Sequence, residues 1–279
     1  MSVATFLARH YERRWLHVRA DGARAPLVTL AAVCDAAVAD GGRTGAAEVF
    51  PTHFEGGRFE GRTIVADGGA LAAYLAAGHP LVWSRARRVF PAVDALGEAM
   101  ARVLGARVWP NVYVTGTAGT PFEMHFDAHE VIAVHCEGAK EWTVSDVRAD
   151  RPTDDDPQPE VMEQRRGEAE GSVAARFVVG TGDVVYVPRG VFHNARAVGG
   201  TSVHVTFGIR GLTGHDVARV LAARALGDRE LRGYAPPPGD DEATGAWLRE
   251  VVVRLGEHLL DEGLGEDVAR PREGIVRAG

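Results

Sequence analysis

The sequence lacks the features that mark secreted and membrane proteins. It has two cysteines in 279 residues, Cys34 and Cys136, and they suggest neither a disulfide framework nor a zinc pair. No apolar run approaches the ~20 residues of a membrane helix, and no early apolar segment resembles a signal peptide. We therefore expect a cytoplasmic protein, in a reducing compartment and with no membrane partner.

An excess of basic charge is also missing. The formal net charge is −7, and non-specific nucleic-acid binding needs clustered lysine and arginine that neutralise phosphates. The sequence therefore argues against a non-specific nucleic-acid binder. Apolar residues make up 46% and charged residues 25% of the chain, which is typical of a soluble protein with a sizeable core.

Hydrophobic periodicity predicts an N-terminal extension of mixed helix and strand over residues 1–105, packed on a central barrel. An amphipathic helix is expected within 1–20, followed by a short strand. A small helix is predicted at 69–77 and a firmer one from Pro91, because proline suits the first helical turn.

From residue 107 onward, short strands alternate with glycine-rich turns. This pattern predicts a fold that is mainly β with flanking helices, with a double-stranded β-helix (cupin or jelly-roll) core over 106–210. Residues 148–172 contain eight acidic residues against four arginines, which predicts a mobile acidic insertion, either a lid or an inert loop. The predicted strands are 107–115, 121–127, 130–136, 139–146, 174–179, 183–187, 191–198 and 201–209.

The C-terminal region, 211–279, is predicted to be helical. Its second helix carries an apolar stripe that must be buried against the barrel or against a second subunit, and we expect a homodimer. The stripe consists of Trp247, Leu248, Val251, Val252, Leu255 and Leu259.

A His-x-Asp pair, His125 and Asp127, stands where we predict strand, turn and strand. Side chains two apart on a strand share a face, so the imidazole and the carboxylate can converge. A third candidate ligand, His193, ends a Pro-x-Gly-x-x-His motif that begins at Pro188. Two histidines and one carboxylate form the facial set that leaves positions open on a non-haem Fe(II) ion.

These motifs resemble those of JmjC/cupin-type 2-oxoglutarate oxygenases. The resemblance rests on the run from His125 to Trp142, on 188–193 and on 202–209, and it is closest to the bacterial branch that includes ribosomal protein hydroxylases. It covers about 85–215 and fades towards the C-terminus.

The resemblance implies Fe(II) held by His125, Asp127 and His193, with 2-oxoglutarate as cosubstrate. It also implies that Lys140 pairs with the distal carboxylate of 2-oxoglutarate, a charge-assisted hydrogen bond. Asn111 and Thr206 are the polar strand residues that we favour as further cosubstrate contacts. The remaining histidines near the motif, at 129, 135 and 204, are expected to be core or outer-shell residues.

The implied activity is hydroxylation of a protein or peptide side chain, with release of succinate and CO2. Three alternatives stay open: the same chemistry on a small molecule such as a free amino acid, a cupin that binds metal without oxidation, and a zinc hydrolase-like cupin.

Overall fold

The computed structural model describes residues 1–22, 25–40, 47–49, 54–55, 58–59, 63–64, 68–77, 79–84, 86, 89–116, 122–153 and 158–260. They divide into two units, Met1–Arg210 and Gly211–Gly279. No helix in the described ranges combines the length and apolar character that a membrane crossing needs.

The first unit is mainly an antiparallel sheet with helices around it. Its helices are α1 (Val3–Arg9), α2 (Leu30–Asp40), α3 (Gly68–Ala76), α4 (Pro91–Leu104) and α5 (Gln158–Gly171). Its strands are β1 (Leu16–Val18), β2 (Ala47–Val49), β3 (Phe54–Glu55), β4 (Arg58–Phe59), β5 (Thr63–Ile64), β6 (Leu81–Trp83), β7 (Arg107–Thr115), β8 (Glu130–Arg148), β9 (Val173–Val179), β10 (Val184–Val187) and β11 (Val191–Arg210).

Two long strands, β8 and β11, organise this sheet. They pair with each other antiparallel along most of their length. The strand order is β1-β10-β8-β11-β7-β6-β2-β5, and β9 pairs with the second half of β8. The N-terminal extension therefore adds strands at both edges, since β1 pairs with β10 and β6 pairs with β7.

The sequence predicted four short strands where β8 and β11 run continuously, and in this respect the prediction was wrong. Turn glycines do occur there, at Gly138 in β8 and at Gly199 and Gly200 in β11, all with positive φ. The backbone bends at these residues, and the pairing register shifts between Val198 and Val203. Glycine signals a change of direction here, but the strands continue through it.

The core lies between the sheet and α4. Val93 and Gly97 of α4 are buried, and Phe207 packs at the Gly97 backbone, where an added Cβ would lie 3.6 Å from the ring. Gly105 closes the helix in the left-handed conformation, and its N–H donates to Ala101 O. Val103, near the end of the same helix, is 54% exposed and lies outside this buried face.

Two further predictions need correction. Residues 122–127 form no strand, because their backbone makes only an isolated bridge at His125. The acidic insertion contains α5 rather than irregular chain in its described part. Ala169 of this helix is fully buried, with Val161 and Met162 packed in the same cluster. These three residues share a helix face, which anchors α5 despite its acidic composition.

The second unit contains α6 (Gly214–Ala225), a 3₁₀ turn (Glu230–Arg232) and α7 (Asp241–Leu260). A capping box at Thr213 and Asp216 starts α6. Asp228 ties α7 to the preceding turn through Arg254 at 3.7 Å and His258 at 3.4 Å. On α7, Leu248, Val252, Val253 and Leu259 remain exposed in the single chain.

Candidate active site

The structure brings His125, Asp127 and His193 together. One ligand atom from each lies within 4.8 Å of the others. The backbones of His125 and His193 exchange two hydrogen bonds, of 3.1 and 2.7 Å, which hold the loop before β8 against the start of β11. The Gly190 N–H donates to Asp127 O at 2.8 Å. The two elements that carry the ligands are therefore fixed to each other by main-chain bonds.

Both imidazoles are oriented for metal binding. His125 Nδ1 lies 2.8 Å from Glu123 O, and His193 Nδ1 lies 2.9 Å from Val191 O. A carbonyl oxygen can only accept, so each Nδ1 carries the proton and each Nε2 keeps its lone pair for a ligand. His193 Nε2 lies 3.5 Å from Asp127 Oδ2. Two nitrogen donors and one carboxylate oxygen thus face a common point.

The electrostatics of the site favour the ligating protonation states. Burial lowers the pKa of His193 to about 4, with the neighbouring His125 as the next cause, so this imidazole is neutral near pH 7. Burial alone would raise the pKa of Asp127, but the nearby His129, His125 and His193 outweigh it and hold the pKa below its usual value. The carboxylate is therefore ionised.

A third imidazole, that of His129, borders the site. Its Nδ1 lies 3.0 Å from Glu130 O, and its Nε2 lies 3.7 Å from Asp127 Oδ1, the second oxygen of that carboxylate. The Trp109 ring packs edge-on against the imidazole at 4.9 Å. The expectation of an outer-shell residue fits this position, although His129 also lines the cavity described next.

The three candidate ligands open into a cavity of about 310 Å³. Its wall is formed by β7, β8, β11, the loop before β8 and one residue of α5, Met162. The predicted cosubstrate residues Lys140, Asn111 and Thr206 all line it. Site residues that the sequence placed far apart therefore share one chamber.

Lys140 is the most unusual residue of this chamber. It is 1% exposed, and its ammonium makes no ion pair or hydrogen bond within the part of the chain that the structure describes. Burial lowers its pKa to about 7. A buried cation without a counter-charge is costly, and an anionic ligand would compensate it.

Polar side chains on β7 and β11 form three cross-strand pairs, Asn111 with Thr206, Tyr113 with His204 and Thr115 with Ser202, and the first two pairs line the chamber. Thr115 Oγ1, Ser202 Oγ and His204 Nδ1 are buried without a partner among the described residues. Buried polar atoms normally have partners, so these atoms indicate a polar occupant.

Aromatic stacking fixes the back of the chamber. The His204 ring stacks between Tyr113 at 4.9 Å and His135 at 5.3 Å. Trp142 Nε1 donates to His135 Nε2 at 3.0 Å, and the Trp142 ring stacks on His193 at 5.7 Å. Burial lowers the pKa of His135 to about 3, with Lys140 as the next cause, so this imidazole is neutral. His135 therefore supports the site from within the core, as expected.

Helix α5 is pinned to the ligand loop. Arg166 NH1 lies 2.6 Å from Glu123 Oε2, and the carbonyl of the same Glu123 accepts the proton of His125 Nδ1. The sequence analysis missed this contact because the acidic composition of 148–172 predicted a mobile insertion and not a helix.

Sequence reasoning also missed a compositional signal at Lys140, the sole lysine among 31 basic residues. All the other Lys and Arg positions of the chain are arginine. The one lysine lies where a compact ammonium fits a buried chamber.

The chain is similar to known proteins in part of its sequence and in its fold. Residues 84–217 match the JmjC domain model. No curated protein shows significant sequence similarity to the chain. The fold is similar to the crystal structure of Escherichia coli ribosomal oxygenase YcfD, with a TM-score of 0.67 and 15% identity over 98% of this chain and 72% of that chain.

Two further structures of YcfD are similar over the same shares, 98% of this chain and 72% of that chain. The complex with cobalt and succinic acid has a TM-score of 0.67 and 16% identity. The complex with cobalt and 2-oxoglutarate has a TM-score of 0.66 and 16% identity. At such low identity the likeness establishes the fold, a JmjC/cupin core with flanking helices.

Proposed function

We propose that this chain, whose residues 84–217 match the JmjC domain model, is an Fe(II)- and 2-oxoglutarate-dependent dioxygenase that hydroxylates a protein or peptide side chain. The observation that carries the proposal is one cavity that contains both a His-Asp-His ligand set and a buried, unpaired ammonium. A metal site alone would fit many cupins. The additional Lys140 favours a metal site at which a dicarboxylate such as 2-oxoglutarate also binds.

His125, Asp127 and His193 would hold the iron. The donor set fits Fe(II), because two imidazole nitrogens and one carboxylate oxygen leave positions open for other ligands. When bound, Fe(II) with 2-oxoglutarate and dioxygen supplies the oxidising chemistry that hydroxylates a C–H bond and releases succinate and CO2. The carbonyls of Glu123 and Val191 leave Nε2 of both imidazoles available, burial keeps His193 neutral, and the nearby histidines keep Asp127 ionised.

Lys140 would bind the distal carboxylate of 2-oxoglutarate by a charge-assisted hydrogen bond. Asn111 and Thr206, paired across β7 and β11, would contact the cosubstrate from the adjacent wall. The buried hydroxyls of Thr115 and Ser202 follow the Tyr113–His204 pair on the same two strands. Burial of these groups keeps bulk water away from the reacting atoms and strengthens each contact.

A polypeptide is the proposed substrate. The support is the fold likeness to structures described as a ribosomal oxygenase. The small-molecule reading predicts instead that a free amino acid stimulates turnover as strongly as a peptide or a ribosomal protein does. A panel of both classes in the assay below decides between them.

We also propose that the protein acts in the cytoplasm as a homodimer. The exposed apolar residues of α7, among them Leu248 and Val252, support this assembly because a second copy would cover them.

The first test is succinate formation from 2-oxoglutarate with Fe(II) and oxygen, together with anaerobic 2-oxoglutarate binding to the Fe(II)-loaded protein. We expect Asp127→Ala to abolish turnover and Lys140→Met to weaken cosubstrate binding at least tenfold while Fe(II) still binds. Metal analysis after aerobic and anaerobic purification separates iron from zinc. A wild-type protein that neither binds nor consumes 2-oxoglutarate would overturn the proposal.

A further inference from the structure

A second pocket shares no lining residue with the central cavity. It has a volume of about 700 Å³ and is formed by three separate segments, the turn after α1, the end of β8 and the turn before β11. Its lining residues are Tyr11, Glu12, Arg13, Arg148, Ala149, Asp150, Arg151 and Arg189. Four arginines against two acids make the pocket locally positive in a chain of net charge −7.

These arginines have spare hydrogen-bonding and charge capacity. Arg13 and Arg148 donate to main-chain carbonyls, but within the described ranges neither makes an ion pair. Arg151 has no polar partner at all among the described residues. Arg189 meets Glu12 only at 3.4 Å, and its Nε is buried without an acceptor in the described part of the chain. A guanidinium has five donors and no acceptor, so these groups have donors available for an anion.

The backbone also departs from ordinary geometry at this pocket. Glu12, with φ of 58°, and Arg151, with φ of 43°, are the two described non-glycine residues with positive φ. Both line the pocket. Strained residues persist where the surrounding structure holds them, and they cluster at ligand sites. The same pocket therefore combines unpaired guanidinium groups with both strained residues.

We infer that this pocket binds a phosphate group. Guanidinium forks match the paired oxygens of a phosphate, and their charge complements a dianion. The pocket is far larger than one phosphate ion, so it also admits the organic part of a phosphate monoester. The ligand would lie against Arg189, whose N–H donates to Glu130 Oε1 and whose carbonyl accepts from Arg148 Nε. The site is separate from the proposed 2-oxoglutarate chamber and does not depend on the proposed function.

The test is calorimetric titration of the metal-free full chain with inorganic phosphate and, separately, with glycerol 3-phosphate, at constant ionic strength in a zwitterionic buffer. We expect saturable binding at one site with a Kd of about 1 mM or lower. Arg151→Gln should weaken phosphate binding at least fivefold, because it removes one of the cations that line the pocket. Arg151 is exposed and has no polar partner among the described residues, so its loss leaves the fold intact. Arg189→Gln should likewise weaken phosphate binding at least fivefold.

Two control variants make the result decisive. Arg102→Gln removes an exposed arginine of α4, and Lys140→Met removes the cation of the central cavity; neither should change phosphate affinity. Equal binding of both ligands assigns the site to phosphate monoesters, and binding of inorganic phosphate alone assigns it to the free ion. Absence of saturable binding, an equal loss in Arg102→Gln, or a loss confined to Lys140→Met would overturn the inference.

Discussion

We expect Lys140 to make the proposed binding of 2-oxoglutarate sensitive to pH. Its pKa is about 7 in the ligand-free chain, whereas the ammonium form is the one that attracts a carboxylate. Above pH 7, binding must therefore take up a proton, and we expect 2-oxoglutarate affinity to fall about tenfold per pH unit. Below pH 7 the ammonium is already present and this dependence vanishes. Anaerobic titrations of the Fe(II)-loaded protein from pH 6 to 9 measure it.

Lys140→Arg is the matched control for this prediction, because a guanidinium stays charged throughout that range. A slope that persists in Lys140→Arg would assign the pH dependence to another group. The single lysine offers a direct readout as well. Amine acylation followed by mass spectrometry reports on Lys140 and the N-terminal amine alone, and we expect 2-oxoglutarate to protect Lys140.

The same burial implies that Lys140 lowers the stability of the empty protein. Its folded pKa of about 7 lies below the unfolded value of about 10.4, so the unfolded chain binds more protons between these values and stability rises with pH across this window. At pH 7, Lys140→Met should therefore raise the free energy of unfolding by on the order of 1–4 kcal/mol, and the variant should unfold at a higher denaturant concentration. Urea unfolding at pH 7 and pH 10 checks this, since the gain should shrink towards pH 10. A destabilised variant at pH 7 would contradict the prediction.

Single residues also show what the sequence could and could not reveal. The roles that chemistry assigns by residue type, at His125, Asp127 and His193, follow from spacing and resemblance, and the structure brings these residues together. The tautomers could not be predicted, because they depend on the carbonyls of Glu123 and Val191. Every residue has a main-chain carbonyl, so the residue type does not show which carbonyl accepts the hydrogen bond.

Among the strands, β8 depends on one glycine. Gly138 has φ of +67°, and a Cβ there would lie 2.3 Å from Thr201 O. Gly138→Ala should therefore lower the free energy of unfolding by more than ~1 kcal/mol. Gly167→Ala on α5 is the control, because its Cβ would meet nothing within 4 Å and alanine favours helix. Thermal unfolding should show a lower melting temperature for Gly138→Ala and no decrease for Gly167→Ala.

Helix α5 should influence the metal although it supplies no ligand. Arg166→Met removes the ion pair with Glu123, whose carbonyl orients His125, so we expect a few-fold weaker Fe(II) affinity with little change in thermal stability. Glu170→Gln, an exposed change on the same helix, is the control. Anaerobic Fe(II) titrations compare the two variants. Unchanged affinity in Arg166→Met would show that the main-chain bonds alone position His125.

Elements were harder to predict than ligands, for a physical reason. Glycine clusters at 138 and 199–200 resemble turns, but long-range pairing between β8 and β11 carries both strands through these bends. Similarly, the apolar face of α5 has few residues, and its partners Phe126 and Phe192 lie far away in sequence. The local sequence pattern of a segment does not show which distant residues the fold will bring into contact with it.

For the whole protein, the exposed apolar residues of α7 predict self-association. Leu248→Glu combined with Val252→Glu should convert a dimer into a monomer, because charges cannot be buried cheaply in an apolar interface. Light scattering after size exclusion, well above micromolar concentration, measures the mass. Glu257→Gln, also exposed on α7, should leave the mass unchanged. A monomeric wild-type protein would rule out the dimer.

The two long strands also decide when the site can arise during folding. The pairing of β8 with β11 spans α5, β9 and β10, so it is a contact between distant parts of the chain and must overcome a large loop-closure entropy. His125 and Asp127 lie before β8 and His193 lies on β11, so no local hairpin can unite them. We therefore expect full metal affinity only once β8 and β11 have paired.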